Sequence, residues 1–232
     1  MLVDIFSSFD DHNQVFMSMY FFTWMFTFFI ILMFSMTYWF YSPRWETSIK
    51  IFKVTISSQV FRSFGASLGG FTSMISSLFL FLIFLNLSGL IPYVFSPTSH
   101  LVVSLSIGLP MWLCLIMSAV MHNFSSVVAS LLPMGAPAAL NPFLVLVESV
   151  SILVRPITLS VRLMANMSAG HIVLSLVGNY LTAALFSVSL STMSLLILIQ
   201  VFYTIFEFGI GLIQAYIFCL LITLYSDEHP HN

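Results

Sequence analysis

Between Arg62 and Glu148 the chain carries no Asp, Glu, Lys or Arg. A water-soluble domain is about one-quarter charged and keeps those charges on its surface. A charge-free run of this length therefore excludes one, and the mean hydropathy of +1.06 agrees. The solvent for this chain is a bilayer. A single crossing helix needs about 20 apolar residues, so the run holds several, and the expected class is an all-α polytopic membrane protein forming one membrane domain over residues 1–232.

The spans follow from apolar length and punctuation. Residues 17–41 make a first span, closed by Tyr38, Trp39 and Tyr41, which favour the membrane interface. Residues 44–65 follow, with Trp45, Ile49, Phe52, Ile56 and Val60 at helical spacing and Arg44, Lys50, Lys53 and Arg62 between them; this pattern predicts an interfacial amphipathic helix. Residues 68–95 are a second span, ending near Pro92 and Pro97, and residues 99–120 a third, whose Pro110 a membrane bundle can tolerate. Residues 121–142 mix polar and small residues with three prolines and read as a surface linker. Residues 143–177 and 193–225 are fourth and fifth spans, long enough to require tilt, forming an antiparallel hairpin. The Ser- and Thr-rich stretch "GNYLTAALFSVSLST" between them suits its turn.

Four of the six basic residues lie after the first span. The positive-inside rule places that loop, and with five crossings the C-terminus, on the cytoplasmic or matrix side. The acidic N-terminus then faces the opposite compartment. Six scattered basic residues form no phosphate-tracking run, which argues against nucleic acid as a partner. Cys114 and Cys219 sit in apolar segments as small buried hydrophobes. No metal-ligand, nucleophile or phosphate-loop motif is present, so no cofactor is expected. Asp4, Asp10 and Asp11 argue against a cleaved targeting peptide.

The costly residues lie in the last two spans. A charge at the bilayer centre costs about 2.5 to 3.5 kcal/mol on insertion scales, so it faces a bundle interior, a partner or water. Glu148, Arg155 and Arg162 recur at steps of seven and project from nearly one helix face; Gln200, Glu207 and Gln214 do the same on the fifth span. One arrangement pairs Glu148 with Arg155 and Arg162 with Glu207 as structural glue. Asn166, one turn from Arg162, serves either to orient it or to bridge helices.

Register decides between arrangements. A turn at Gly178 and Asn179 sets Arg162 opposite residues near 196. A turn near Val188 sets it level with Gln214, and His171 level with Glu207, bringing together two groups able to exchange protons. The second is preferred. Arg162 and His171 lie nine residues, about 13.5 Å, apart along the helix and on opposite faces, a layout suited to two proton-accessible regions separated by a permanent positive charge.

These residues carry a resemblance. "LSVRLMANMSAGH" (159–171), "FEFGIGLIQAYIFCLLITLY" (206–225), "NLSGLIPYVFSPTSHL", "LLPMGAPAALNP" and "VESVSILVRP" match, in order and spacing, subunit a of F-type ATP synthases, and His171 with Glu207 looks mitochondrial. The resemblance implies a stator beside a rotating c-ring, other Fo and peripheral-stalk subunits as neighbours, and the mitochondrial inner membrane, with no catalysis by the chain alone and no substrate but protons. Arg162 matches the family's essential arginine, His171 and Glu207 its entry pair, Gln214 the glutamine near the arginine, and Glu148 a carboxylate toward the exit. Arg155 receives no essential role. The rival readings are a secondary transporter, a structural anchor and an intramembrane enzyme.

Overall fold

A computed structural model describes residues 9, 25, 28–29, 44–91, 95–132, 140–187 and 190–228. Apart from residues 25, 28 and 29, the expected first span lies outside them. The described residues form α1 (Arg44–Val60), α2 (Phe71–Gly89), α3 (Leu101–His122), α4 (Phe124–Ser130), α5 (Asn141–Ser187) and α6 (Leu190–Asp227), with 3-10 turns at Phe64–Ser67 and Pro97–Ser99. Of these, α2, α3, α5 and α6 are long and apolar enough to cross a membrane.

The first helix has the expected amphipathic pattern, and part of its apolar surface is docked on protein. Its polar side carries the Glu46–Lys50 ion pair at 3.0 Å. Its other side is docked on protein: Ile56 and Val60 are buried in the core with Phe71, Ile75 and Phe79, and Phe52 meets Phe79 edge-on at 6.4 Å. The spacing that marks an amphipathic helix specifies one apolar face but not whether lipid or protein covers it. The chain then reverses at Gly70, whose φ of 83° lies in the left-handed region that glycine enters without a Cβ clash. The backbone N–H of Phe64 donates to Asp227 Oδ1 at 2.9 Å, fastening this turn to the end of α6.

Helix length follows from how each segment treats its polar groups. At 1.5 Å per residue, the 19 residues of α2 and 22 of α3 give about 28 and 33 Å, each matched to one hydrocarbon core. The 47 residues of α5 and 38 of α6 give about 70 and 57 Å, so neither can stand upright. The expected turn over residues 178–192 is largely helix, and the chain reverses only between Ser187 and Leu190. Ser and Thr punctuate soluble chains by competing for backbone hydrogen bonds. Here their hydroxyls back-bond within the helix, as Thr182 does to the Asn179 carbonyl and Ser194 to that of Ser191, both at 2.8 Å. Their polarity is satisfied without breaking the turn of helix. The linker likewise contains α4, begun by Asn123, whose side chain accepts from the Ser126 N–H.

Between lipid-solvated helices apolar burial gives little net drive, so close packing and polar bonds hold the bundle. Helix α2 runs antiparallel to α6: Ile75 lies against Cys219, and Asn86 donates from Nδ2 to the Gly211 carbonyl at 3.1 Å. Helix α3 approaches through small residues. Ser104 and Gly108 are buried, and a Cβ on Gly108 would stand 3.5 Å from Leu159 and 3.7 Å from Phe218, placing three helices in contact there. Gly108→Leu should therefore lower the thermal stability of the purified protein by about 1 to 3 kcal/mol through overpacking. Gly178→Leu, where a Cβ meets nothing within 4 Å, should change it little.

Candidate functional site

The polar residues of α5 and α6 meet at three depths along the hairpin. At the end nearest the α6 C-terminus, Arg155 is paired with Glu148 at 3.7 Å and with Glu228, and its guanidinium lies 5.3 Å from the centre of the Tyr225 ring. The heptad step from 148 to 155 brings the first pair together along α5, and the antiparallel return of α6 supplies the other two groups. Of the two ion pairs open from sequence, Glu148 with Arg155 forms. Glu228, given no role from sequence, is the partner missed, because only the tertiary return of α6 brings it within reach.

At the middle depth, Asn166 donates from Nδ2 to Gln214 Oε1 at 2.8 Å. Gln214 is buried, so this bond satisfies polar groups that lipid would leave bare. Asn166 thus bridges helices. Arg162, one turn away, lies on an exposed surface of α5, where it has no ion pair or hydrogen bond with any described residue. The alternative pairing of Arg162 with Glu207 does not occur.

At the third depth Glu207 is buried, 3% exposed, against α5. Gly170 makes the space: a Cβ there would collide with the Glu207 carboxylate. The Tyr203 hydroxyl donates to Glu207 Oε1 at 3.0 Å. His171 adjoins Gly170, which brings it to the level of Glu207, though the two form no ion pair. Its Nε2 is buried without a hydrogen-bond partner among the described residues, and the Phe9 ring meets it edge-on at 6.2 Å. One heptad from Glu207, Gln200 Oε1 is similarly buried and unpartnered. Gly170 beside Glu207 lies near the register of a turn at Val188, although Gln214 meets Asn166, one turn beyond Arg162. Tyr203 and Gly170 were assigned no role from sequence, although Tyr203 stands at i−4 from Glu207, the spacing at which helical side chains meet.

Chemically, the arrangement offers an ion-paired cluster at one end, an arginine midway without an ion pair among the described residues, and a buried acid with a nearby imidazole toward the other. Among the described residues no group of three His, Cys, Asp or Glu is placed to hold a metal.

These features define a polytopic membrane protein whose last two helices carry ionisable groups through the bilayer. The chain belongs to the ATP synthase A chain family, whose model matches residues 15–227. It is 36% identical to the ATP synthase subunit a of Artemia franciscana over 228 residues, covering 98% of this chain and all of that relative. It is 37% identical to that of Drosophila melanogaster over 229 residues, 98% of this chain and 99% of the other. Against that of Albinaria caerulea the identity is 45% over 158 residues, 68% of this chain and 72% of the other.

Two predictions follow from the geometry. Gly170→Ala should leave the fold intact, because the atoms in its way end a flexible side chain, but should swing the Glu207 carboxylate off Tyr203; a crystallographic or cryo-EM map of the variant checks the rotamer. Arg155→Gln should raise hydrogen exchange in the last turn of α6 by at most about fivefold, since the pairs are partly exposed (side chains of Glu148 and Glu228 at 41% and 56%) and worth about 1 kcal/mol or less.

Proposed function

We propose that this chain is the proton-conducting stator of the Fo sector of a mitochondrial ATP synthase, working against a ring of c subunits and beside other Fo and peripheral-stalk subunits in the inner membrane. The observation that carries the reading is Arg162: a permanent cation on a bilayer-spanning helix, exposed on the chain's own surface and without a partner among the described residues. A charge left so costs several kcal/mol unless another molecule supplies a counter-charge. A carboxylate on each passing ring subunit would do so.

In this mechanism protons enter from the compartment beyond His171 and Glu207, which stand at the third depth, and pass to a ring carboxylate. The ring turns and carries the proton through the lipid-facing arc. On the far side of Arg162 the carboxylate releases it past Glu148 toward the matrix. Arg162 separates the two routes because its guanidinium stays protonated and repels a proton passing directly between them. Gln214 and Asn166, bonded to each other one turn from Arg162, hold the two helices at that level. Arg155 takes a structural part, holding Glu148 and the α6 terminus. The chain needs no cofactor and catalyses nothing alone; a unit charge moving down the potential supplies about 2.3 kcal/mol per 100 mV. The N-terminus faces the intermembrane space and the C-terminus the matrix, from the basic loop after the first span.

The decisive test is Arg162→Ala in the reconstituted whole complex. The complex should assemble, coupled ATP synthesis should fall to background, and the membrane should leak protons; normal coupled synthesis would sink the proposal. A mere anchor, by contrast, would tolerate the change once assembled.

A further inference from the structure

We infer that Tyr203 is a positioning residue for proton entry, its hydroxyl holding the Glu207 carboxylate in the orientation that receives a proton. This rests on the entry role just proposed for Glu207. Gln200, Tyr203 and Glu207 follow one another at i, i+3 and i+7, so they share one face of α6. They are buried or half-buried, while Val201, Phe202, Thr204, Ile205, Phe206 and Phe208 around them are exposed. The stripe therefore faces protein, and its polar atoms are aligned along the helix.

On the α5 side the carboxylate lies directly against Gly170, in the space a Cβ would otherwise take. The glycine admits the carboxylate but has no side chain to bond it. On α5 the titratable neighbour is His171, which makes no ion pair with Glu207, and α2 has no titratable residue. The hydrogen bond from Tyr203, at 3.0 Å, is the specific polar contact that selects one rotamer. Along α6, Tyr203 falls between Glu207 and Gln200, whose Oε1 is a buried acceptor without a partner among the described residues, as His171 Nε2 is a buried ring nitrogen without one among them. Buried polar atoms left bare are costly, and bridging water is the usual remedy. A neutral donor at position 203 thus holds the acid beside atoms that water would serve, without adding a charge that would trap the proton.

Tyr203 also packs its ring against Phe206 at 6.1 Å. A purely structural role would need only that ring, and phenylalanine keeps it. The test measures proton flux through the reconstituted complex against proton concentration on the entry side. The donated hydrogen bond stabilises the ionised carboxylate, the form that receives a proton. Tyr203→Phe should therefore lower the half-saturating proton concentration by about tenfold or more, the scale of one hydrogen bond to a charged group, and leave maximal flux within about twofold. Tyr203→Gln, which restores a neutral donor one turn from Glu207, should recover part of that shift. An unchanged or raised half-saturation in the Phe variant, a loss confined to maximal flux, or a Gln variant no closer than Phe to the unaltered complex overturns the inference. Glu207→Gln separates the two levels: intact flux in that variant overturns the entry role itself, whereas lost flux with an indifferent Tyr203→Phe overturns only the part given to Tyr203.

Discussion

The bilayer's refusal to solvate polar groups governs this structure. Every hydroxyl, amide and charge in the spans must find a partner within the protein, meet water, or wait for another chain. Most of the serines and threonines in the described spans are absorbed at no cost to topology, because the hydroxyl reaches a carbonyl one turn back. Amides are spent on joining helices: Asn86 ties α2 to α6, and Asn166 ties α5 to α6. The ionisable groups are then the residue that ordinary packing does not explain, and they lie on the two longest helices.

The same constraint sorts the two arginines of α5. They are seven residues apart on nearly one face, yet Arg155 is ion-paired within the chain while Arg162 has no ion pair or hydrogen bond among the described residues. The difference is one of depth along the hairpin. Near the end of α6 the chain supplies Glu228 and the Tyr225 ring; midway it supplies only Gln214 and Asn166, which satisfy each other. Among the described residues this chain thus pairs one of the two cations internally and leaves the other exposed, the distinction on which the proposed function turns.

Much of the fold was legible in the sequence. Apolar length gave α2, α3, α5 and α6 to within a few residues at most ends, because a helix is the only open way to satisfy backbone groups in lipid. The differences have physical causes. Residues 178–187 looked like a turn since Ser and Thr break helices in water, where the backbone has other partners; in lipid they do not. For the helix at Arg44–Val60 the pattern specified an apolar face but not that α2 covers part of it. In the site, Glu148, Arg155, Arg162, Gln214 and Glu207 announced themselves by cost and spacing. Tyr203 and Gly170 did not, since a tyrosine and a glycine are unremarkable in an apolar helix until a carboxylate is seen between them.

The sequence by itself determined that this chain lives in a membrane, where its long apolar helices lie, which families of side chains share a helix face, and to which protein family it belongs. All of these depend on composition and on the fixed 3.6-residue turn, which are properties of one segment at a time. Only the tertiary structure decided how far α6 slides along α5, and hence that Asn166 meets Gln214, that Gly170 opens onto Glu207, and that Arg155 finds Glu228. Heptad spacing fixes an angle around a helix and says nothing of translation along its neighbour. In lipid, apolar side chains barely prefer one translation to another, so the register is set by a few polar bonds and small residues that exist only once the helices have met.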